Sequence, residues 1–396
     1  MKTVAVLGGG PAGASAAERL ARGGLNTIVF DEKLAWEKPC GGGLTYKAYE
    51  QYPYLIDNDT PKKLIHETVV NSQGAGEAKM NLTQPLLIYS RLDLNRMLLE
   101  RAERAGAAME QTRVLGIEQQ EKGWRLRTRH GTAEADFLIV ATGARNPLRD
   151  VGTQWNAGDT ITALGYFVPG ARERIDIQFL PKFEGYIWVF PRCGHLSVGI
   201  AGRGEPAQVM RARLEAYMEQ HGISRQDAVF YSHMLPSLET PSWSNNRVSG
   251  RGWMAVGDAG GLVDPITGEG LYYAIRSGDL ASQVVLNDAH DFAGKAAAYR
   301  DTVTREFARD LEYAATLARR VFLGRYLFRS VPHMMVEFMR RSPRFRDLMQ
   351  DLFAGTQPYL SLRDRLKKNI NVTLQEVFMQ FFLEHVIPGR SQAPSS

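Results

Sequence analysis

Cysteine is nearly absent from this chain, with only Cys40 and Cys193 among 396 residues. Two thiols so far apart exclude a disulfide framework and make a reducing compartment the default. Eight scattered histidines add no zinc-ligand spacing, so metal chemistry is not expected. No run of about 18 apolar residues occurs, and no segment is expected to span a bilayer. Charge of one sign is also scarce. The net +5 is too weak to argue for nucleic acid, and no nucleic-acid-binding module is visible. It suits anionic small ligands or an anionic membrane surface. Repeats and low-complexity tracts are missing. A cytoplasmic location follows as the expectation, with peripheral attachment at the inner face of the cell membrane as its extension.

The N-terminus has a lysine, a short apolar run and small residues, as a signal peptide does. Three glycines and a proline directly after the run argue instead for a strand, Thr3 to Leu7, opening into a helix. "NTIVF" reads as a second buried strand, and Arg91 to Ala107 as a helix with apolar Leu94, Met97, Leu98 and Ala102. Alternation from Trp124 predicts a hairpin turning at His130-Gly131 and leading into the buried strand Phe137 to Val140. From about Thr160 to Gly202 the residues suit antiparallel strands. "VNSQGAGEAKM" is a candidate for the same sheet. From Asp301 the chain reads as helical, ending in a disordered tail.

Glycine is what the chain spends conspicuously. Gly8-x-Gly10-x-x-Gly13 follows the first strand, and Asp31 stands eighteen residues past Gly13 at the end of the second. In a strand–turn–helix context this is a dinucleotide cradle. Gly8 makes the tight turn, and Gly10, with Pro11 and Ala12, opens the helix toward a pyrophosphate. Gly13 lets helix and strand pack closely, and Asp31 can accept from ribose hydroxyls.

A second glycine-rich junction, "GWMAVGDAGGLVDPITGEGL", spans Gly252 to Leu271. Gly257-Asp258, Pro265 and Gly268-x-Gly270-Leu271 resemble the second fingerprint of the p-hydroxybenzoate hydroxylase-like flavoproteins. The resemblance implies FAD rather than NAD at the first cradle. It also implies that Asp258 binds the ribityl chain and that the helix after Gly270 faces the flavin pyrimidine edge.

"KPCGGGLT", from Lys38, and "EGYIWVFPRCGHLSVGIAG", Glu184 to Gly202, resemble the geranylgeranyl reductase family within that superfamily. The resemblance implies a flavin-dependent reductase saturating double bonds of a polyprenyl chain on a lipid, quinone, pigment or diphosphate. It further implies that Arg91 contacts the FAD phosphate or ribose region and that Gly41, Gly42 and Gly43 lie against the isoalloxazine. Strand periodicity puts Tyr186, Trp188 and Phe190 on one face, the substrate-lining face in that family. Aromatic faces stabilise cationic character developing on an isoprene carbon without acting as nucleophiles, and they make a dry channel. Cys40 and Tyr46 are the candidate proton donors, Cys40 alternatively a gate. Cys193, in "PRCGH", reads as an incidental turn residue.

One departure concerns Thr142, which stands before Gly143 where relatives commonly carry aspartate. With no second GxGxxG, the electron donor is open between NAD(P)H and a ferredoxin-type carrier. Residues 316–370 hold about 12 basic and 4 acidic side chains among aromatics, a surface suited to anionic lipid. The expected fold is α/β. A discontinuous Rossmann-like FAD-binding domain takes residues 1–65, 88–155 and 250–300. An antiparallel-sheet substrate domain takes 66–87 and 156–249, a helical C-terminal region 301–388 and the tail 389–396. The competing classes are a flavin monooxygenase or halogenase and a prenyl-binding carrier.

Overall fold

The computed structural model describes residues 2–385 apart from 149, 288–290 and 327. The expected tail at 389–396 lies outside the described residues. The architecture is α/β, with a parallel sheet, a separate large sheet that is mostly antiparallel, and a helical C-terminal region.

The first sheet has six strands. Thr3–Leu7 sits at its centre, parallel to Asn26–Phe30 on one side and to Phe137–Val140 on the other. Trp253–Ala255 continues the sheet beyond Phe137–Val140. Val4 to Leu7 and Phe137 to Val140 are all buried, as expected of strands covered on both faces. Helix Pro11–Arg22 packs on this sheet and carries its proline at the first turn, where the missing N–H costs nothing. Helix Arg91–Arg104 is capped by the Ser90 hydroxyl, which accepts from the Asp93 N–H. It stops three residues short of the expected Ala107, because Gly106 turns the chain at φ +103°. The hairpin Trp124–Thr128 with Thr132–Ala135 forms as the alternation predicts.

The second sheet has eight strands, in the order Val229–Pro236, Thr160–Pro169, His195–Arg203, Glu184–Pro191, Arg174–Phe179, Lys62–Ser72, Gly76–Tyr89, Gly43–Leu44. Its edge reaches back to the glycine stretch, through Gly43 paired with Ile88. The strands entering it begin at Lys62 and run to Tyr89, so several residues the sequence places with the first unit belong to this sheet. A pairing partner distant in sequence decides that, and periodicity does not show it.

The C-terminal region contains helices Phe292–Val303, Arg309–Leu323, Val331–Arg341, Pro343–Ala354 and Tyr359–His385. A short hairpin, Arg325–Tyr326 with Arg329–Ser330, interrupts them. These helices cover one face of the eight-stranded sheet, burying Val336, Met339, Leu348 and Met349 against Met80, Leu86 and Ile177.

Candidate active site

The first fingerprint is shaped by backbone contact. Gly8 has φ +115°, and a Cβ there would stand 2.3 Å from the Ala141 carbonyl oxygen. A Cβ on Gly13 would stand 1.9 Å from the Gly8 carbonyl oxygen. Only glycine fits either position. Gly10 faces open space, with nothing within 4 Å of its Cβ position. No side chain caps the helix it precedes, so the helix amides and dipole are free for an anion. Gly8, Gly10, Pro11 and Ala12 line a cavity; Gly13 does not, and its part is packing. Asp31 lines the cavity too. Its carboxylate accepts the N–H groups of Gly9 at 2.7 Å, Lys33 at 2.8 Å and Leu34 at 2.9 Å. That uses three of about four acceptor positions and leaves one for a hydroxyl.

The second fingerprint packs directly on the first. Helix Leu271–Leu286 crosses Pro11–Arg22 so closely that a Cβ on Gly278 would be 2.2 Å from the Ala12 carbonyl. Ser15 donates to the Ile275 carbonyl and Ser282 to that of Ala16. This contact carries Gly257, Asp258, Gly268, Gly270 and Leu271 to the cavity wall. Asp258 Oδ2 lies 3.4 Å from Lys38 Nζ. Burial works against its charge, but the cations Lys38 and Arg91 outweigh burial and hold the carboxyl below the usual range. His233 is pushed down to about 4 by burial and by Lys38, so its imidazole is neutral at pH 7.

The glycine stretch divides into two roles. Gly41 and Gly43 press on the Phe190 ring, their Cβ positions 3.3 and 3.1 Å from it. Gly42 is different: φ is +84°, and a Cβ would meet the Tyr89 carbonyl oxygen at 2.1 Å. All three line the cavity, but the glycine requirement at 42 comes from the chain's own backbone. Arg192, fully buried, clamps the loop. It bonds Glu37 and the Cys40 carbonyl and reaches the Gly41 carbonyl at 3.4 Å. Ser197 also donates to the Cys40 carbonyl at 2.9 Å. Burial disfavours the Glu37 charge, but Arg192 and the Arg91 N–H bring its pKa below the usual value. Cys40 lines the cavity, with the Gly42 N–H 3.3 Å from its Sγ.

Tyr186, Trp188 and Phe190 share the cavity face of their strand, while Ile187 and Val189 are buried on the other side. Trp188 lies across Gly199, whose Cβ position is 2.3 Å from the indole. The Tyr186 hydroxyl donates to the Thr267 carbonyl. The aromatic wall continues outward: Trp188 to Tyr186 at 6.2 Å between ring centres, Tyr186 to Phe179 at 6.4 Å, Phe179 to Phe322 at 6.1 Å. The cavity measures about 810 Å³ and runs on beneath the C-terminal helices, among Met335, Phe345, Leu348 and Leu352.

Tyr46 is a correction. It lies on helix Tyr46–Gln51, outside the cavity, and its hydroxyl donates to Glu50 one turn along. The residue that the pattern passed over is Glu269, the variable position of Gly268-x-Gly270. It lines the cavity, and its Oε1 accepts the Tyr272 N–H at 2.8 Å. Burial pushes its pKa up to about 7, with Asp264 adding repulsion and Lys47 opposing it. Asp264 is itself raised by burial and holds the loop through Ile266 N–H, Thr267 N–H and the Tyr359 hydroxyl. The signal for Glu269 was a carboxylate inside an otherwise apolar glycine turn.

The residues present fit FAD. The uncapped helix and open Gly10 suit the pyrophosphate. Arg91 Nε and Thr142 Oγ1 are buried without a hydrogen-bond partner, and both residues line the same cavity. Orphaned polar atoms around a shaped hollow call for a polar ligand.

Residues 2–163 match the family model of the pyridine nucleotide-disulphide oxidoreductases. A chloroplastic geranylgeranyl diphosphate reductase of Arabidopsis thaliana is 28% identical, over 73% of this chain and 66% of that one. A menaquinone reductase of Mycobacterium tuberculosis is 29% identical, over 73% of this chain and 77% of the other. A solved geranylgeranyl bacteriochlorophyll reductase-like protein of Thermoplasma acidophilum superposes with a TM-score of 0.77. It shares 22% identity over 93% of this chain and 99% of its own. A flavin-dependent brominase superposes with a TM-score of 0.68 at 18% identity, over the same shares of the two chains. The fold and site define an FAD-dependent oxidoreductase. Within that class the chain is similar to the geranylgeranyl and menaquinone reductases.

Proposed function

We propose that this protein saturates carbon–carbon double bonds in a polyprenyl chain carried on a lipid, quinone, pigment or diphosphate. One observation carries the reading. The cavity leads from the dinucleotide cradle along Trp188, Tyr186 and Phe179 into an apolar space beneath the C-terminal helices. The cavity, about 810 Å³ in all, takes in the dinucleotide cradle as well, and it is its apolar far end that suits a long hydrocarbon. The names of the plant and mycobacterial relatives support a prenyl diphosphate and a menaquinone as substrates respectively. The chain spans about two thirds of the plant reductases' length.

Gly10 and the helix after it, Asp31, Arg91 and Asp258 hold the FAD. When bound, it supplies the electron pair for the reduction. NAD(P)H or a ferredoxin-type carrier replenishes it, and Thr142 in place of an acidic residue counts against direct reduction by NAD(P)H. The aromatic wall excludes water and stabilises positive character on the substituted alkene carbon, each ring by about 1–2 kcal/mol when desolvated. Glu269, protonated near neutral pH, donates the proton, and Cys40 gates the space beneath Phe190. Exposed basic residues within 316–370 attach the enzyme to anionic membrane, where such substrates reside.

A monooxygenase or halogenase reading has one observation in its favour. Lys47 lines the same cavity, its Nζ 4.5 Å above the Tyr272 ring, with its pKa lowered by burial. Anaerobic turnover separates the readings. A prenyl reductase converts substrate without oxygen, and a monooxygenase does not.

A further inference from the structure

The arginines of the C-terminal region are not equivalent. Arg340 and Arg341 pair with Glu337, Arg344 with Glu376, and Arg365 with Asp351, while Arg346 bonds the Met339 carbonyl. These charges already have partners within the chain. Arg319, Arg320, Arg325 and Arg329 are exposed, and no ion pair among the described residues involves them. No acidic residue occurs between Glu312 and Glu337. Four exposed cations without an ion pair therefore flank one feature, the hairpin Arg325–Ser330, while Arg363, Lys367 and Lys368 form a separate exposed group on helix Tyr359–His385.

That hairpin displays apolar surface. Phe328 is 94% exposed, and Leu323 and Tyr326 are each 39% exposed. Phe328 also has φ +67°, a left-handed conformation that is uncommon for a bulky residue. Its ring nevertheless faces outward, although burial would be worth about ten- to a hundred-fold in an equilibrium constant. Where the hairpin meets the helices, Tyr326 packs edge-on to Phe338 at 6.3 Å. Phe322, Tyr326 and Phe338 all belong to the cavity wall, at the outer end of the ladder that starts from Trp188.

We propose that the hairpin Arg325–Ser330 is a membrane-docking element. Phe328 enters the interfacial region of an anionic bilayer, and Arg319, Arg320, Arg325 and Arg329 engage lipid headgroups. The cavity end at Phe322 and Tyr326 is thereby set against the bilayer. A prenyl chain passes along the aromatic ladder without crossing water. This rests on the prenyl-reductase reading for its purpose, but its chemistry stands separately. An exposed aromatic flanked by unpaired cations is complementary to anionic lipid, whereas a second copy of this chain would bring the same positive charge against itself.

The test uses the full chain with vesicles of phosphatidylglycerol or phosphatidylcholine, read by sedimentation. Phe328→Gly removes the ring and suits the left-handed backbone, so its folding is secure. It should weaken phosphatidylglycerol binding roughly ten-fold or more. Arg325→Gln with Arg329→Gln should weaken it roughly five-fold per charge, and added salt should abolish the difference. In a Cys193→Ser background, Phe328→Cys carrying an environment-sensitive dye should shift to the blue on vesicles. Wild-type binding by Phe328→Gly, or a dye that stays in water on bound vesicles, overturns the proposal. So does self-association that depends on Phe328 while vesicle binding does not. Both variants should keep wild-type turnover on detergent-dispersed substrate. A wild-type enzyme that docks through the hairpin yet reduces no prenyl chain refutes the reductase reading and leaves the docking standing.

Discussion

Lys38 Nζ lies 3.4 Å from Asp258 Oδ2 although 220 residues separate them. The contact ties the glycine stretch of the first unit to the second fingerprint. Asp258 is held charged chiefly against its burial, so its folded pKa is below the ordinary one. A depressed carboxylate contributes stability above its unfolded pKa and loses it as pH falls through the folded value. Lys38→Met should move that loss to higher pH. It should also weaken FAD retention about ten-fold, as expected for a charge-assisted contact of about 1.5 kcal/mol. Asp258→Ala should weaken it by about 1.5–3 kcal/mol. Flavin fluorescence during an acid titration measures both.

The glycine triplet separates by substitution. Gly42→Ala forces a Cβ into the Tyr89 carbonyl at 2.1 Å from a backbone with φ +84°, so thermal denaturation should show a large loss of stability. Gly41→Ala meets only the edge of Phe190 at 3.3 Å. It should melt near the wild type while turnover falls, since a displacement near 1 Å costs about 100-fold in rate. Equal melting temperatures for the two variants would contradict the backbone role of Gly42.

Glu269 has a folded pKa near 7, raised from 4.5. The native state therefore keeps a proton that the unfolded chain releases, and stability falls as pH rises from about 4.5 to 7. Glu269→Gln removes this penalty. The variant should be more stable than the wild type at pH 8, by up to about 3 kcal/mol, and equal to it near pH 4. Turnover should move oppositely: the wild type loses activity above pH 7, and the variant is slower by about 100-fold or more. Parallel denaturant titrations and pH–rate profiles measure the two effects.

Arg192 should be the most costly polar residue to remove. Arg192→Met leaves Glu37 without the cation that holds its charge against burial and frees the Cys40 and Gly41 carbonyls. A loss of about 3–5 kcal/mol is expected. Because Glu37 is depressed in the folded state, the loss should shrink as pH falls through its folded pKa. Urea denaturation at neutral and acid pH checks the sign.

The sequence made legible what local spacing encodes. The turns at Gly8 and Gly257, the helices they open and the aromatic face of Tyr186, Trp188 and Phe190 follow from periods of 2 and 3.6 and from glycine placement. Charge partnerships were not legible. Lys38 finds Asp258 and Arg192 finds Glu37 only after the two sheets come together, across 220 and 155 residues. Arg192 sits in a turn that reads as incidental, and Glu269 occupies a position any residue fills in the motif. The place of Tyr46 beside the glycines says nothing about the helix face it occupies, which carries its hydroxyl to Glu50. The hairpin after Gly324 was hidden because "RYLFR" continues a helical pattern.

The central claim is tested by anaerobic single turnover. Enzyme with its FAD reduced chemically is mixed with a geranylgeranyl-bearing lipid or quinone, and flavin absorbance is followed with mass spectrometry of the product. The account predicts that flavin reoxidises without oxygen and that the product gains one pair of hydrogens for each flavin oxidised. Trp188→Ala should slow this step while dithionite still reduces the bound flavin. Flavin that stays reduced with every prenyl substrate until oxygen is admitted would contradict the account.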